Sequence, residues 1–367
     1  MSRPLHGIRV LDASRLMPFS YTTYLLVEAG AEVVKLEQPG GEYGRAMASV
    51  FELYNRGKRS VTLDLRTDRG RDIALRLVES FDVFVESFRP GYLDRLGLGF
   101  DAMLQHRADL VYCSATGFGA TGAYSQRPGH DVNYAGLAGL LTPAGDPPIV
   151  APVPYIDMAA GLAAAFSIST ALVGVEATGA GNHIDVAMSD IALSFNGLAI
   201  AETVGASQRV AQVADSPLSG YPWPELMLQQ CPCYGVFETS DGRYISLANV
   251  EPKFWSAFLK VIERPELEGA RFATGPHARA VRAEIADVIV TRTLATWDEI
   301  FLRSDVCYAP VLTAAEAYRH PQFAGRPVPS IGASSDVPAV GEANAELLAG
   351  LGISVSEQQQ LAAAGVI

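Results

Sequence analysis

Residues 7 to 116 alternate between short β-branched runs and stretches of helical character, and that alternation limits the possible folds more than any other feature of the chain. "GIRVLDA" (7–13) reads as a strand, "YTTYLLVEAGA" (21–31) as a helix, and "EVVKLEQP" (32–39) as a second strand closed by Pro39 and two glycines. The pattern recurs in "SVTLDL" (60–65), "GRDIALRLVES" (70–80), "FDVFVES" (81–87) and "DLVYCSAT" (109–116). Strands and helices in alternation predict an α/β domain with a doubly wound, largely parallel sheet.

At 367 residues the chain exceeds the size at which single cores stop growing, so two domains, or one large domain with a substantial insertion, are expected. An alanine-rich helix spans 158–175, and its small residues on several faces predict close packing on all sides. A strand and helix follow in "GNHIDVAMSDIALSF" (181–195). The proline-rich "DSPLSGYPWPE" (215–225) then changes the character of the sequence. Beyond it, "YGVFETSDGRYISLAN" reads as a hairpin about Asp241-Gly242, with helices to about residue 305. The expected organisation is a large domain over 1–200, a linker over 201–224, a small α+β domain over 225–315, and a C-terminal segment over 316–367 that returns to the large domain.

The formal net charge of −12 argues against nucleic acid or an anionic membrane surface as partner, since both call for a basic excess. No run of 18 uninterrupted apolar residues and no secretory h-region is found, which predicts a soluble, cytoplasmic protein. Cys113, Cys231, Cys233 and Cys307 are too scattered for a disulfide framework, and "CPC" has neither redox nor zinc-ribbon spacing. No metal site is expected. Gly117, Gly119 and Gly122 match G-x-G-x-x-G, but loop residues follow where a dinucleotide fingerprint needs a helix, so neither NAD nor FAD is expected.

Three groups of residues could carry chemistry. Arg56, Lys58 and Arg59 in "NRGKRS", with Arg89 and Arg95 in "FRPGYLDRLG", fall in loops expected to meet at one edge of the sheet, where ligands of doubly wound folds bind. Converging cations suit a phosphate-rich ligand, although they would serve equally as a solvated face paired with Glu52 and Asp94. Asp157, at the start of the alanine-rich helix, is either its N-cap or a positioned base or nucleophile. His130, beside Asp131, is a loop histidine or a general base, and Glu251, before a helix-opening proline, is ordinary N-terminal charge or an orienting group.

Across nearly its whole length the sequence resembles the class III CoA-transferase family, which includes formyl-CoA and carnitine CoA-transferases and the α-methylacyl-CoA racemases. The blocks that carry the likeness include "LLVEAGAEVVKLEQPGGEYGR", "YNRGKRSVTLDL", "SFRPGYLDRLGLGF", "GHDVNYAGLAGLL", "DMAAGLAAAFSISTAL", "TGAGNHIDVAMSD" and "SDGRYISLANVEPKFW". The resemblance implies a Rossmann-like large domain, a smaller α+β domain, and an interlocked homodimer with its active site at the interface. It implies coenzyme A, as acyl-CoA substrate, held near Arg56, Lys58, Arg59, Arg89 and Arg95, with Gly129, Asp131 and Tyr134 also lining the site.

The same resemblance implies two chemistries on one carboxylate. In the racemase pattern Asp157 and His130 flank the substrate α-carbon and exchange its proton, Glu251 of the other subunit orients His130, and N–H groups at the start of the helix stabilise an enolate. In the transferase pattern Asp157 attacks the thioester, with the glycines of "TGFGATG" as oxyanion donors. The leading expectation is racemisation of 2-methylacyl-CoA thioesters; the alternative is transfer of CoA to a carboxylic acid.

Overall fold

A computed structural model of the chain describes residues 3–141, 150–204, 230–324 and 336–367. The expected linker over 201–224 lies, from residue 205 onward, outside the described residues. The chain divides into two compact units, Met1–Leu198 with Ile331–Ile367, and Ala199–Ser330.

The first unit opens with β1 (Arg9–Ala13), α1 (Met17–Glu28) and β2 (Glu32–Glu37), then α2 (Ala48–Asn55), β3 (Arg59–Thr62), α3 (Asp68–Val78) and β4 (Val83–Glu86). There follow α4 (Tyr92–Arg95), α5 (Phe100–His106), β5 (Val111–Thr116), α6 (Asp131–Leu137), α7 (Tyr155–Thr178), β6 (Asn182–Ala187) and α8 (Met188–Phe195), and α9 (Gly197–Thr203) runs across the point in the sequence where the first unit ends. The six strands form one parallel sheet in the order β3-β2-β1-β4-β5-β6. The chain winds outward one way from β1 and the other way from β4, so the order reverses between these two strands. Such a reversal opens a crevice at the carboxyl ends of the strands.

Residue alternation assigns each face of the sheet. Leu11, Val34, Val61, Phe84 and Tyr112 point to a core shared with Ile73 and Leu77 of α3 and Met103 of α5, whereas Val10, Val33, Val83 and Val111 point to one shared with Phe19 and Leu26 of α1, Ile156, Ala160 and Ala164 of α7, and Ala192 of α8. Both faces are covered, as a parallel sheet requires. Truncating a fully buried side chain such as Leu11 or Ile73 to alanine costs about 3 kcal/mol.

The register of α7 is set by its contact with α1. A side chain on Gly161 would lie 2.6 Å from the Pro18 carbonyl oxygen and 2.9 Å from the Tyr21 ring, and Thr22 Oγ1 donates to the Gly161 carbonyl at 3.0 Å. Contrary to expectation, α7 is not packed on all sides: Phe166 is 73% exposed and Val173 71%, and Leu162 lies on the same side. Its 24 residues include an 18-residue window of mean hydropathy 1.8, long and apolar enough by composition to cross a membrane, which a count of uninterrupted apolar residues overlooks. Its buried side packs against α1 and the sheet.

The second unit holds an antiparallel sheet, β7 (Tyr234–Glu238), β8 (Tyr244–Ala248) and β9 (Tyr308–Pro310), with Gly242 at φ 68° in the β7–β8 turn. Helices α10 (Pro252–Val261), α11 (Gly275–Ile289) and α12 (Leu294–Phe301) enclose Trp255, Phe258, Trp297 and Phe301, and α13 (Ala314–Arg319) follows. In the C-terminal part of the first unit, α14 (Asn344–Gly350) and α15 (Val355–Ala363) add Leu347, Leu348 and Leu361 to the core beside α3. Asn344 Oδ1 accepts the Thr62 N–H at 2.8 Å, holding this segment to β3.

Candidate active site

Helices α6 and α7 begin side by side, and one carboxylate joins their ends. The N-cap of α7 is Pro154, so Asp157 is the third helical residue and not the cap. The cap is supplied by Asp131, the first residue of α6, whose Oδ2 accepts the N–H groups of Ile156 at 2.7 Å and Asp157 at 3.1 Å. An N-terminal carboxylate that accepts orphan helix donors is stabilising, and here it comes from another helix. The Asp157 side chain is thereby left free of capping.

That freedom has a cost. Asp157 Oδ1 is buried and has no hydrogen-bond partner. Burial, and then the neighbouring Asp131 charge, push its carboxyl up to about 7. Tyr134 of α6 is nearly fully buried, and burial together with Asp157 and Asp131 pushes its hydroxyl up to about 12. Gly129 leaves room for this ring: a Cβ there would sit 2.9 Å from Tyr134 and 3.0 Å from Phe118. Asp131 and Tyr134 thus share the electrostatic surroundings of Asp157, and Gly129 packs on Tyr134.

His130 is the N-cap of α6, with Asn133 Oδ1 accepting its backbone N–H at 3.0 Å, and its side chain is exposed. The N–H groups expected to stabilise an enolate are already engaged, by Asp131 at residues 156 and 157 and by the Pro154 carbonyl at Met158. Two amides of the glycine loop are likewise taken, Gly119 by Thr116 Oγ1 and Ala120 by Asp185 Oδ2. The loop forms bends and turns, and the next helix starts only at Asp131.

The crevice at the carboxyl ends of β1 to β4 is a cavity of about 200 Å³ lined by Ala13, Leu36, Leu63, Phe88 and Tyr92, by Arg15 and Arg66, and by the carboxylates Glu37, Glu42 and Asp64, among others. A ladder of side chains forms one wall. The Arg15 guanidinium lies 4.7 Å from the Phe88 ring centre, Phe88 stacks on Tyr92 at 5.2 Å, and the Arg95 guanidinium lies 5.9 Å from Tyr92. Arg89 and Arg95 are exposed, and neither has an ion-pair partner among the described residues. Arg15, Phe88 and Tyr92 were not singled out by sequence reasoning, although all follow the strands that flank the reversal.

The five cations do not meet at one edge. Helix α2 separates β2 from β3, so "NRGKRS" enters the amino end of β3, whereas Arg89 and Arg95 follow the carboxyl end of β4. Lys58 is buried, with Nζ 3.0 Å from Asp12 Oδ2 and further bonds to Thr23, Asn55 and the Ser20 carbonyl. Arg56 is buried against Tyr24, to whose hydroxyl it donates. Arg59 pairs with Glu346 at 2.6 Å. These three cations are engaged within the protein, and only Arg89 and Arg95 remain open to an anion.

Glu251, in the second unit, is exposed at the N-cap of α10, with Pro252 in the first turn. Cys113, Cys231, Cys233 and Cys307 form no disulfide with one another. Among the described residues, no group of His, Cys, Asp and Glu is placed to hold a metal ion.

A doubly wound α/β domain with an uncapped, partly buried carboxyl in the first turn of a helix and a cavity of mixed charge at the carboxyl ends of its strands is the class of protein these residues build. The chain belongs to CoA-transferase family III, whose family model matches residues 5–330. It is 32% identical over 348 residues to a probable fatty acyl-CoA transferase, Rv3272, of Mycobacterium tuberculosis, covering 88% of this chain and 86% of that protein. It is 31% identical over 321 residues to the α-methylacyl-CoA racemase of Homo sapiens, covering 86% of this chain and 80% of the racemase. The crystal structure of the orthorhombic form of Rv3272 superposes with a TM-score of 0.79 at 28% identity, covering 95% of this chain and 99% of that one. A CAIB/BAIF family protein from Brucella suis gives 0.74 at 27% identity, covering 96% and 100%.

Proposed function

We propose that the protein is an acyl-CoA α-epimerase that inverts the α-carbon of 2-methylacyl-CoA thioesters by two-base proton transfer. The observation that carries this reading is the Asp157 carboxyl, free of capping, with one buried and unpartnered oxygen, and balanced near pH 7 by burial and Asp131. A group that must both take and return a proton works best with its pKa near the working pH. His130, adjacent to the Asp131 cap, supplies the second base. In one direction Asp157 takes the α-proton, the electron pair moves into the thioester carbonyl as an enolate, and the His130 imidazolium returns a proton to the opposite face. In the other direction the roles reverse. Glu251 of a second subunit orients His130.

Coenzyme A would place its nucleotide portion in the crevice, against Arg15 and the rings of Phe88 and Tyr92, with its phosphates toward the exposed Arg89 and Arg95, which stand outside the cavity lining. The exposed apolar side of α7, with Leu162, Phe166 and Val173, supports a homodimer that covers it. The second reading, CoA transfer through an aspartyl thioester at Asp157, is favoured by the relatives named acyl-CoA and acetyl-CoA:oxalate CoA-transferases. Hydroxylamine separates the two. An Asp157 hydroxamate formed after incubation with acyl-CoA supports transfer, and its absence together with α-proton exchange supports epimerisation.

A further inference from the structure

The last residue of β4 is a buried glutamate that the chemistry above does not use. Glu86 is 6% exposed, and its Oε2 accepts the Phe88 N–H at 2.7 Å. Phe88 is an inner ring of the ladder that walls the crevice, between Arg15 and Tyr92. One residue away, Ser87 Oγ accepts the Arg15 N–H at 2.9 Å, so the loops after β1 and β4 are joined at this point.

Across the sheet, Glu86 pairs in register with Ser114 of β5, and Ser114 Oγ lies 3.0 Å from His183 Nε2 of β6. The titratable groups around Glu86 are Tyr112 and Cys113 of β5, His183 and Asp185 of β6, and Asp94 of α4. Burial pushes the Glu86 carboxyl up to about 7, against the lowering by its hydrogen bonds to the Phe88 N–H and the Ser114 side chain, and with small additions from Asp94 and Asp185. A glutamine side chain has the same shape as this carboxyl and keeps an oxygen that can accept the Phe88 N–H.

We propose that Glu86 is a positioning residue for nucleotide binding: by accepting the Phe88 N–H it fixes the Phe88 ring between Arg15 and Tyr92, and so sets the ladder on which the nucleotide end of a CoA thioester rests. This rests on the reading of the crevice as the CoA nucleotide site. Burial of the acceptor excludes competing water, and an unfilled Phe88 N–H would release the loop that carries Arg89 and Arg95.

The test compares wild type, Glu86→Ala, Glu86→Gln and Arg95→Ala, all as the full chain. CoA affinity is measured by calorimetry, and turnover is measured with acyl-CoA and with the matching acyl-pantetheine, which lacks the nucleotide. Glu86→Ala is expected to weaken CoA binding and raise KM for acyl-CoA about tenfold, with kcat and all acyl-pantetheine parameters kept. Glu86→Gln, which keeps an acceptor for Phe88, restores wild-type affinity. Equal CoA affinity in wild type and Glu86→Ala, with Arg95→Ala weakened, overturns the role of Glu86 alone. Equal losses for acyl-CoA and acyl-pantetheine in Glu86→Ala also overturn it. Failure of the wild type to bind CoA, or an Arg95→Ala variant that binds it as well as wild type, overturns the crevice reading beneath it.

Discussion

Asp131 accepts the backbone N–H of Asp157 at 3.1 Å while its charge raises the Asp157 carboxyl, so one side chain both caps α7 and tunes the group three residues into it. Asp131→Asn keeps an acceptor but removes the charge. The lower limb of the pH–rate profile should then move to lower pH, because the charge that raises Asp157 is gone. Asp131→Ala also loses the cap, at about 1 kcal/mol of stability by urea unfolding. A limb that stays in place in Asp131→Asn would detach the pair from catalysis.

Asp157 itself is held at the expense of stability. Its folded value, about 7, lies above its ordinary 3.8, so between these values the folded state binds more protons than the unfolded one. Stability therefore falls as pH rises from about 4 to about 7, and the full penalty applies above that. Asp157→Asn should be more stable than wild type by about 2 kcal/mol at pH 8, allowing for partial solvent screening, and no more stable near pH 4. Denaturant midpoints at the two pH values decide it, and an equal shift at both would contradict the linkage.

The bonds that Lys58 makes to Asp12, Thr23, Asn55 and Ser20 predict that it serves the fold and does not reach the ligand. Replacing Lys58 by methionine removes the ion-pair partner of the wholly buried Asp12, leaving it Ser14, Thr23 and the Lys35 charge, and should cost about 3 kcal/mol. At a temperature where the variant remains folded, its CoA affinity should match wild type, whereas Arg95→Ala should lose affinity and part of its salt dependence. Calorimetry at two ionic strengths checks both. A folded Lys58→Met variant with weakened CoA binding would return Lys58 to the ligand site.

The strand and helix alternation was legible because a parallel sheet writes its periodicity locally. "DLVYCSAT" and "GNHIDVAMSDIALSF" contain β5, β6 and α8. Helix α2 was not read between β2 and β3, and that omission placed "NRGKRS" at the wrong end of the sheet. Asp157 was legible as a residue at the helix start, with the N-cap as one of its two readings, whereas the cap position belongs to Pro154. The release of Asp157 from capping was not legible, because the partner that caps the helix lies 26 positions away on another helix. Likewise, Glu86 and Arg15 become neighbours of one crevice only through the pairing of β1 with β4.

The exposed stripe on α7 predicts self-association. Phe166→Asp places a charge on its most exposed large apolar residue and should convert a dimer to monomer in sedimentation equilibrium, with loss of activity if Glu251 is supplied by the second subunit. A fully active monomeric variant would contradict the shared site.

The central claim is that Asp157 and His130 exchange the α-proton. The most direct measurement is deuterium incorporation at the α-carbon of a 2-methylacyl-CoA in heavy water, without any acid acceptor, for wild type, His130→Ala and Asp157→Asn. The account predicts incorporation with inversion by wild type and its loss in both variants. No incorporation by a wild-type protein that binds the thioester would contradict it and leave CoA transfer through Asp157 as the reading to pursue.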